Sequence, residues 1–230
     1  LLYFEEKDEQ ALEICKNTLE STDASDPFYG IYEYNFAKMI IDTTFPFDGG
    51  NQAHIHNANT AIRYAHLAIH HTTESLHQFE PRHRINAWMT IAEAYSALDL
   101  HTEAIHYSRK ALNASLHQLG DTHPDVYTYK FNLLAYSKRA FGLTQAIVDE
   151  LTTLVSDLEA QYTTFSPEAF TMHCTLAKWL FEAKRYQEAI AEVDLCITAS
   201  ESQSETTDPP LDSLYTLRNI ATSQLAELYN

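Results

Sequence analysis

Histidine is the residue type most able to do chemistry in this sequence. His66 and His70 lie four apart, Glu74 follows one turn later, and His54, His56 and His77 flank them. On a helix this spacing puts imidazoles on one face, where they could hold Zn²⁺. No HExxH motif and no cysteine partner accompany them, and the 12 histidines are spread along the chain. They read as solvated helix-face residues, and no metal site is expected. Cys15, Cys174 and Cys196 are odd in number, far apart and without a CxxC. That pattern suits free thiols in a reducing, cytoplasmic setting rather than a disulfide framework. The phosphate-cradling and nucleophile-elbow motifs GxGxxG, GxxxxGK[ST] and GxSxG are absent. No catalytic residue and no cofactor is assigned, and the chain is expected not to be an enzyme.

Charge narrows the partners further. Fifteen Lys and Arg stand against 32 Asp and Glu, a net charge of −17 over 230 residues. Such a surface repels phosphate backbones and anionic lipid, so neither nucleic acid nor membrane is an expected partner. Apolar residues make up 45% of the chain, enough for a sizeable core. No stretch approaches the roughly 20 apolar residues that cross a bilayer. Only 5 Gly and 7 Pro are present, too few for the many tight turns of an all-β fold. The expectation is all-α.

Two rulers give the organisation. Pro81, Pro124, Pro167 and Pro210 recur every 43 residues, with Pro27 lying 54 residues before the first. Each sits beside turn or capping residues, as in "THPDV" and "FSPEAF", and proline in the first helical turn wastes no hydrogen bond. Small residues at Ala11, Ala61, Ala104, Ala146 and Ala189 form the second ruler, spaced 50, 43, 42 and 43. Between the rulers the apolar period is near 3.6, with Trp88, Ile91, Ala92 and Tyr95 along one face. The short "DLH" at 99–101 admits only a tight antiparallel turn. A repeated helix pair satisfies all of these spacings.

The run Trp88, Ile91, Ala92, Tyr95, Ala104, Ser108 and Ala111 resembles the signature of the tetratricopeptide repeat (TPR). The longer unit and the link "LGDTHPDV" are similar to the kinesin-light-chain type of that repeat. The resemblance implies a right-handed superhelix of antiparallel helix hairpins, about ten helices in all. One solenoid would cover 1–230: a partial repeat at 1–22, repeats at about 26–78, 80–120, 122–163 and 165–202, and a terminal helix at 209–229. An insertion at 45–52, "FPFDGGNQ", interrupts the second repeat. The chain opens without Met and starts and stops out of phase with the repeats, so the natural protein is expected to extend upstream.

The same resemblance implies a concave groove lined by the first helix of each pair, holding a peptide segment of a protein partner. Taking the small residue of the first helix as position 8, positions 2, 5, 9 and 12 face that groove. The resulting candidates are Tyr34, Lys38, Asn86, Met89, Tyr129, Asn132, Tyr136, Arg139, Lys178 and Arg218. Asn132 falls where the kinesin-light-chain type has an asparagine that hydrogen-bonds peptide backbone. Lys38, Arg139, Lys178 and Arg218 against the single acidic Glu93 run counter to the acidic composition, which points to an acidic peptide with an apolar anchor. The expected function is a non-enzymatic protein-binding scaffold. The alternative is a regulatory or sensor arm of a larger signalling protein, such as a kinase or transcription regulator, acting by intramolecular contact or self-association.

Overall fold

Three of the ruler's prolines start helices. The computed structural model describes residues 2–44, 52–74, 81–162, 166–202 and 211–228; Pro27 lies two residues before the helix that begins at Tyr29, and Pro210 lies outside the described residues. Pro81, Pro124 and Pro167 are each the first residue of a helix. Ser166 caps one of these by accepting a hydrogen bond from the Ala169 amide at 3.2 Å, and His123 Nδ1 accepts from the Asp125 amide in the same way. Both caps satisfy amides that the helix itself leaves unpaired.

The described residues form ten α-helices and no strand. They group into two compact units that divide at Asp121 and Thr122, where the third expected repeat meets the fourth. The first unit holds α1 (Leu2–Ser21), α2 (Tyr29–Thr44), α3 (Gln52–Glu74), α4 (Pro81–Ala97) and α5 (His101–Leu119). The second holds α6 (Pro124–Phe141), α7 (Gln145–Gln161), α8 (Pro167–Glu182), α9 (Tyr186–Ser202) and α10 (Leu211–Leu228). Within each unit every helix packs on its neighbour in sequence. The insertion at 45–52 lies outside the described residues except for Gln52, the first residue of α3.

Each core is a seam between neighbouring helices. In the first unit Phe36, Ala37 and Ile40 of α2 meet Ala58, Ala61 and Ala65 of α3. In the second, Ile147, Val148, Leu151, Leu154, Val155 and Leu158 of α7 pack with Met172, Leu176 and Leu180 of α8. Phe170, Cys174 and Ala177 of α8 meet Val193, Cys196 and Ile197 of α9 and Leu214 of α10. Period 3.6 brings one stripe of each helix to its partner.

The hairpin turns set the register. Asp99 and Lys184 both adopt left-handed φ values, 58° and 62°. The next amide in each case reaches back into the preceding helix, Leu100 to the Tyr95 carbonyl and Arg185 to the Leu180 carbonyl. This is the Schellman closure of a helix end. Ala104 and Ala189, five residues past those turning residues, are fully buried. The middle hairpin turns differently, through Gly142 at φ 80° and a Thr144 cap on α7. By helix position the counterpart is Val148, the fourth residue of α7 as Ala104 is of α5 and Ala189 of α9; it is fully buried, whereas Ala146 is exposed. The small-residue ruler therefore slips by two at this repeat. A branched side chain stands where the other hairpins have alanine, and α6 and α7 touch over less of their length than α4 and α5 do.

This register predicts opposite outcomes for two alanines in one unit. Ala189→Leu should destabilise by about 1–3 kcal/mol through overpacking. Ala146→Leu should stay within about 0.5 kcal/mol of wild type. Chemical denaturation of both variants checks it, and equal effects would mean the α7 register is misassigned.

Candidate functional site

The first-helix positions converge where α2 faces α4. The Tyr34 hydroxyl hydrogen-bonds the Asn86 side chain, and the Tyr34 ring meets His83 edge to face with centroids 6.4 Å apart. Burial is the main reason the Tyr34 hydroxyl is held above its ordinary pKa. Four residues along, Lys38 Nζ lies 2.6 Å from Asp42 Oδ1 and 3.3 Å from Glu93 Oε2. Burial works against the Lys38 charge, but Glu93 and Asp42 outweigh it and raise its pKa. For Glu93 the order reverses: burial dominates and pushes its carboxyl up, with Lys38 only partly opposing. Tyr34, Lys38, Asn86 and Glu93 thus lie on one side of the α2–α4 pair, as the repeat numbering expects. Lys38, however, is committed to two carboxylates rather than offered to a ligand.

Other candidates divide by burial. Met89, Tyr129 and Tyr136, expected to face a ligand, are instead buried at 5%, 7% and 7% exposure. Large apolar and aromatic side chains on a helix flanked by neighbours gain more from helix packing than from solvent. In the second unit Asn132 is half-buried on α6, while Arg139 on α6 and Lys178 on α8 are exposed. Arg218 on α10 is turned toward α9, its Nε 2.5 Å from Asp194 Oδ1. Neighbouring Lys138, which the numbering does not select, bonds Glu182 Oε2 at 2.5 Å and lies 5.4 Å above the Trp179 ring.

The histidines serve separate contacts. His66 Nε2 is 3.4 Å from the Tyr107 hydroxyl, and burial lowers its pKa. His70 stacks on His71, and His54 Nε2 lies 3.2 Å from the Ala97 carbonyl. His77 lies outside the described residues. Among the described residues no group of three or more His, Cys, Asp or Glu side chains is placed to hold a metal ion. Cys174 and Cys196 are free, buried and in contact, with sulfurs 3.0 Å apart across the α8–α9 seam. Contact with Cys174, reinforced by burial, drives the Cys196 thiol far above its usual range. Cys15 is free and half-buried on α1. Among the described residues no helix is long and apolar enough to cross a membrane.

Two buried His–Glu pairs went unread in the sequence. Four residues before the small residue of each first helix stand Glu33, Trp88, Phe131 and His173. Where the TPR pattern has its tryptophan, two repeats carry an ionisable group instead. Each is matched from the second helix of its own hairpin. His71 Nδ1 donates to Glu33 Oε2 at 2.7 Å, and His173 Nδ1 donates to Glu192 Oε2 at 2.7 Å. His173 Nε2 also lies 3.4 Å from Glu159 Oε1. The signal was present, since a Glu and a His at a core position demand partners, but the partners are 38 and 19 residues away.

With this geometry in hand, the class of fold is clear: these are TPR-like helical repeats. BtubC (BKLC) from P. vanneervenii superposes with a TM-score of 0.71 at 12% identity, covering 96% of this chain and 83% of that one. A Podosopora anserina protein described as a kinesin light chain of nearly identical TPR-like repeats gives 0.63 at 15% identity, over 88% of this chain and 90% of that one. A single-substitution variant of that protein gives 0.61 at 16% identity, over 88% and 94%. No family model and no curated protein matches the sequence.

Glu33 makes a pH prediction. It is 2% exposed, and burial raises its carboxyl pKa despite the hydrogen bond and charge of His71. A folded pKa above the unfolded value, about 4.3, means the fold gains from protonated Glu33. That gain is complete below the unfolded value and is lost as pH rises through the folded one. The melting temperature of Glu33→Gln should therefore climb relative to wild type between about pH 4 and pH 7. A difference that does not change with pH would show that His71 fully compensates the burial.

Proposed function

We propose that this chain is a non-enzymatic scaffold that holds a peptide segment of a protein partner against the first helices of its repeats. The observation that carries the reading is the meeting of Tyr34 with Asn86 and of Lys38 with Glu93. Residues chosen only by repeat position come together on one side of α2 and α4. A TPR-like repeat buries its apolar stripes on adjacent helices, so the polar side chains left along its first helices are the ones available to a ligand. In the first unit Tyr34 and Asn86 form such a pair, beside Lys38, which Asp42 and Glu93 hold, and Met89 is packed behind it. In the second unit Asn132 supplies amide hydrogen bonds to peptide backbone, and Arg139 and Lys178 supply charge. Tyr129 and Tyr136 support α6 from the buried side rather than touching the ligand, and Arg218 is steadied by Asp194.

The reading retains an acidic peptide as ligand, with the exposed Arg139 and Lys178 as its basic contribution. Lys38 and Arg218 already face carboxylates, so they add little net positive potential. Exposed cations affect association rate and salt dependence more than they affect packing.

The test is a peptide array of acidic sequences with single apolar anchors, read against wild type, Arg139→Glu/Lys178→Glu, and Lys38→Ala. The double variant, with helical circular dichroism unchanged, should bind the selected peptides about tenfold or more weakly, a loss of about 1.4 kcal/mol or more. Lys38→Ala should bind within about threefold of wild type, because its charge is already neutralised. Equal binding by the double variant would remove Arg139 and Lys178 from recognition.

A further inference from the structure

A cavity of about 450 Å³ opens in the second unit between the start of α6, the end of α7 and the start of α8. Its volume falls within the range of small-molecule sites. The floor is apolar, formed by Leu158, Ala169 and Met172, all nearly inaccessible to solvent. Tyr127 and Tyr162 make one wall, edge to face with centroids 6.2 Å apart. The Tyr162 hydroxyl donates to the Thr122 carbonyl at 2.5 Å, which fixes that ring.

Charge around the cavity has one sign. Asp125 comes from α6, Glu159 from α7 and Glu168 from α8, and no Lys or Arg is among the described lining residues. Lys130 stands 5.3 Å from the Tyr127 ring centroid and does not line the space. His173 closes the cavity on the α8 side with a fully buried side chain. Its Nδ1 is held by Glu192 at 2.7 Å, and its Nε2 lies 3.4 Å from Glu159. A fourth carboxylate thus stands behind the imidazole, adding to the negative potential that a concave, low-dielectric wall concentrates.

We propose that this cavity binds an organic cation with an apolar body, whether a free alkyl or aryl amine or a basic side chain of a partner beside an apolar one. An anion is repelled by three carboxylates. A neutral apolar molecule would strip water from those carboxylates without replacing it. An ammonium at the rim pairs with them, and a hydrocarbon body covers Leu158, Ala169 and Met172. None of the lining residues belongs to the first-helix positions assigned to the peptide, so this site stands apart from that reading.

The test titrates the full chain with 2-phenylethylamine, with neutral 2-phenylethanol and anionic 3-phenylpropionate as controls, following amide resonances. The amine should bind with a Kd of about 1 mM, shifting Tyr127, Thr128, Ala169 and Met172. The alcohol should bind about tenfold or more weakly, and the carboxylate should leave these resonances unmoved. Asp125→Asn/Glu159→Gln should weaken the amine by about tenfold. Thr128→Arg, which places a cation at the rim, should abolish binding and covers the case in which the double variant fails to fold. Acetyl-Phe-Lys-amide separates the sources: shifts at the same residues assign the site to a partner's basic side chain, and shifts from the amine alone assign it to a free amine. Equal affinity for amine and alcohol, or no shift from the amine at about 20 mM in folded protein, would overturn the proposal.

Discussion

How closely two antiparallel helices approach at one small side chain governs each unit. A single amphipathic helix cannot bury its own stripe, so stability comes from the seam it forms with its neighbours. The left-handed residues Asp99 and Lys184 end one helix and aim the next, and five residues on Ala104 and Ala189 fill the point of closest contact. Where Gly142 turns the chain instead, Val148 takes that place and the hairpin opens. The wider spacing belongs to the same three helices, α6, α7 and α8, that surround the cavity. A change of turn type at one hairpin therefore accompanies the one concave space described in that unit.

Buried charge is the second constraint. Replacing an aromatic core residue by Glu33 or His173 removes apolar area and adds a group that must be paired. Both pairs bridge the two helices of one hairpin, Glu33 to His71 and His173 to Glu192. Such pairs contribute little net stability, yet removing one member leaves the other buried without compensation.

Electrostatics divides the molecule's candidate surfaces by sign. The sequence reading of a basic groove counted four cations, and two of them, Lys38 and Arg218, lie against carboxylates. In a chain with more than twice as many acidic as basic residues, most cations find an acidic neighbour, so counting charges by helix face overstates the positive potential. The cavity at α6–α8 has the opposite character, with carboxylates contributed by three helices and no described cation in its lining.

The helical class, the hairpin starts and most of the repeat phase were legible in the sequence, because they rest on local chemistry. Proline can sit only where an amide is dispensable, and an apolar period of 3.6 admits no other element. Repeat numbering also selects Tyr34, Asn86, Lys38 and Glu93, and the structure brings Tyr34 to Asn86 and Lys38 to Glu93. Tertiary structure decided what depends on distance between residues far apart in sequence. It made Val148 rather than Ala146 the contact residue, because α7 begins two residues later than the small-residue spacing implies. It drew Met89, Tyr129 and Tyr136 inward and paired Lys38 with Glu93 across 55 residues. It also gathered Asp125, Glu159 and Glu168 around one space. Composition records how many charges a chain carries, but only packing fixes which of them meet.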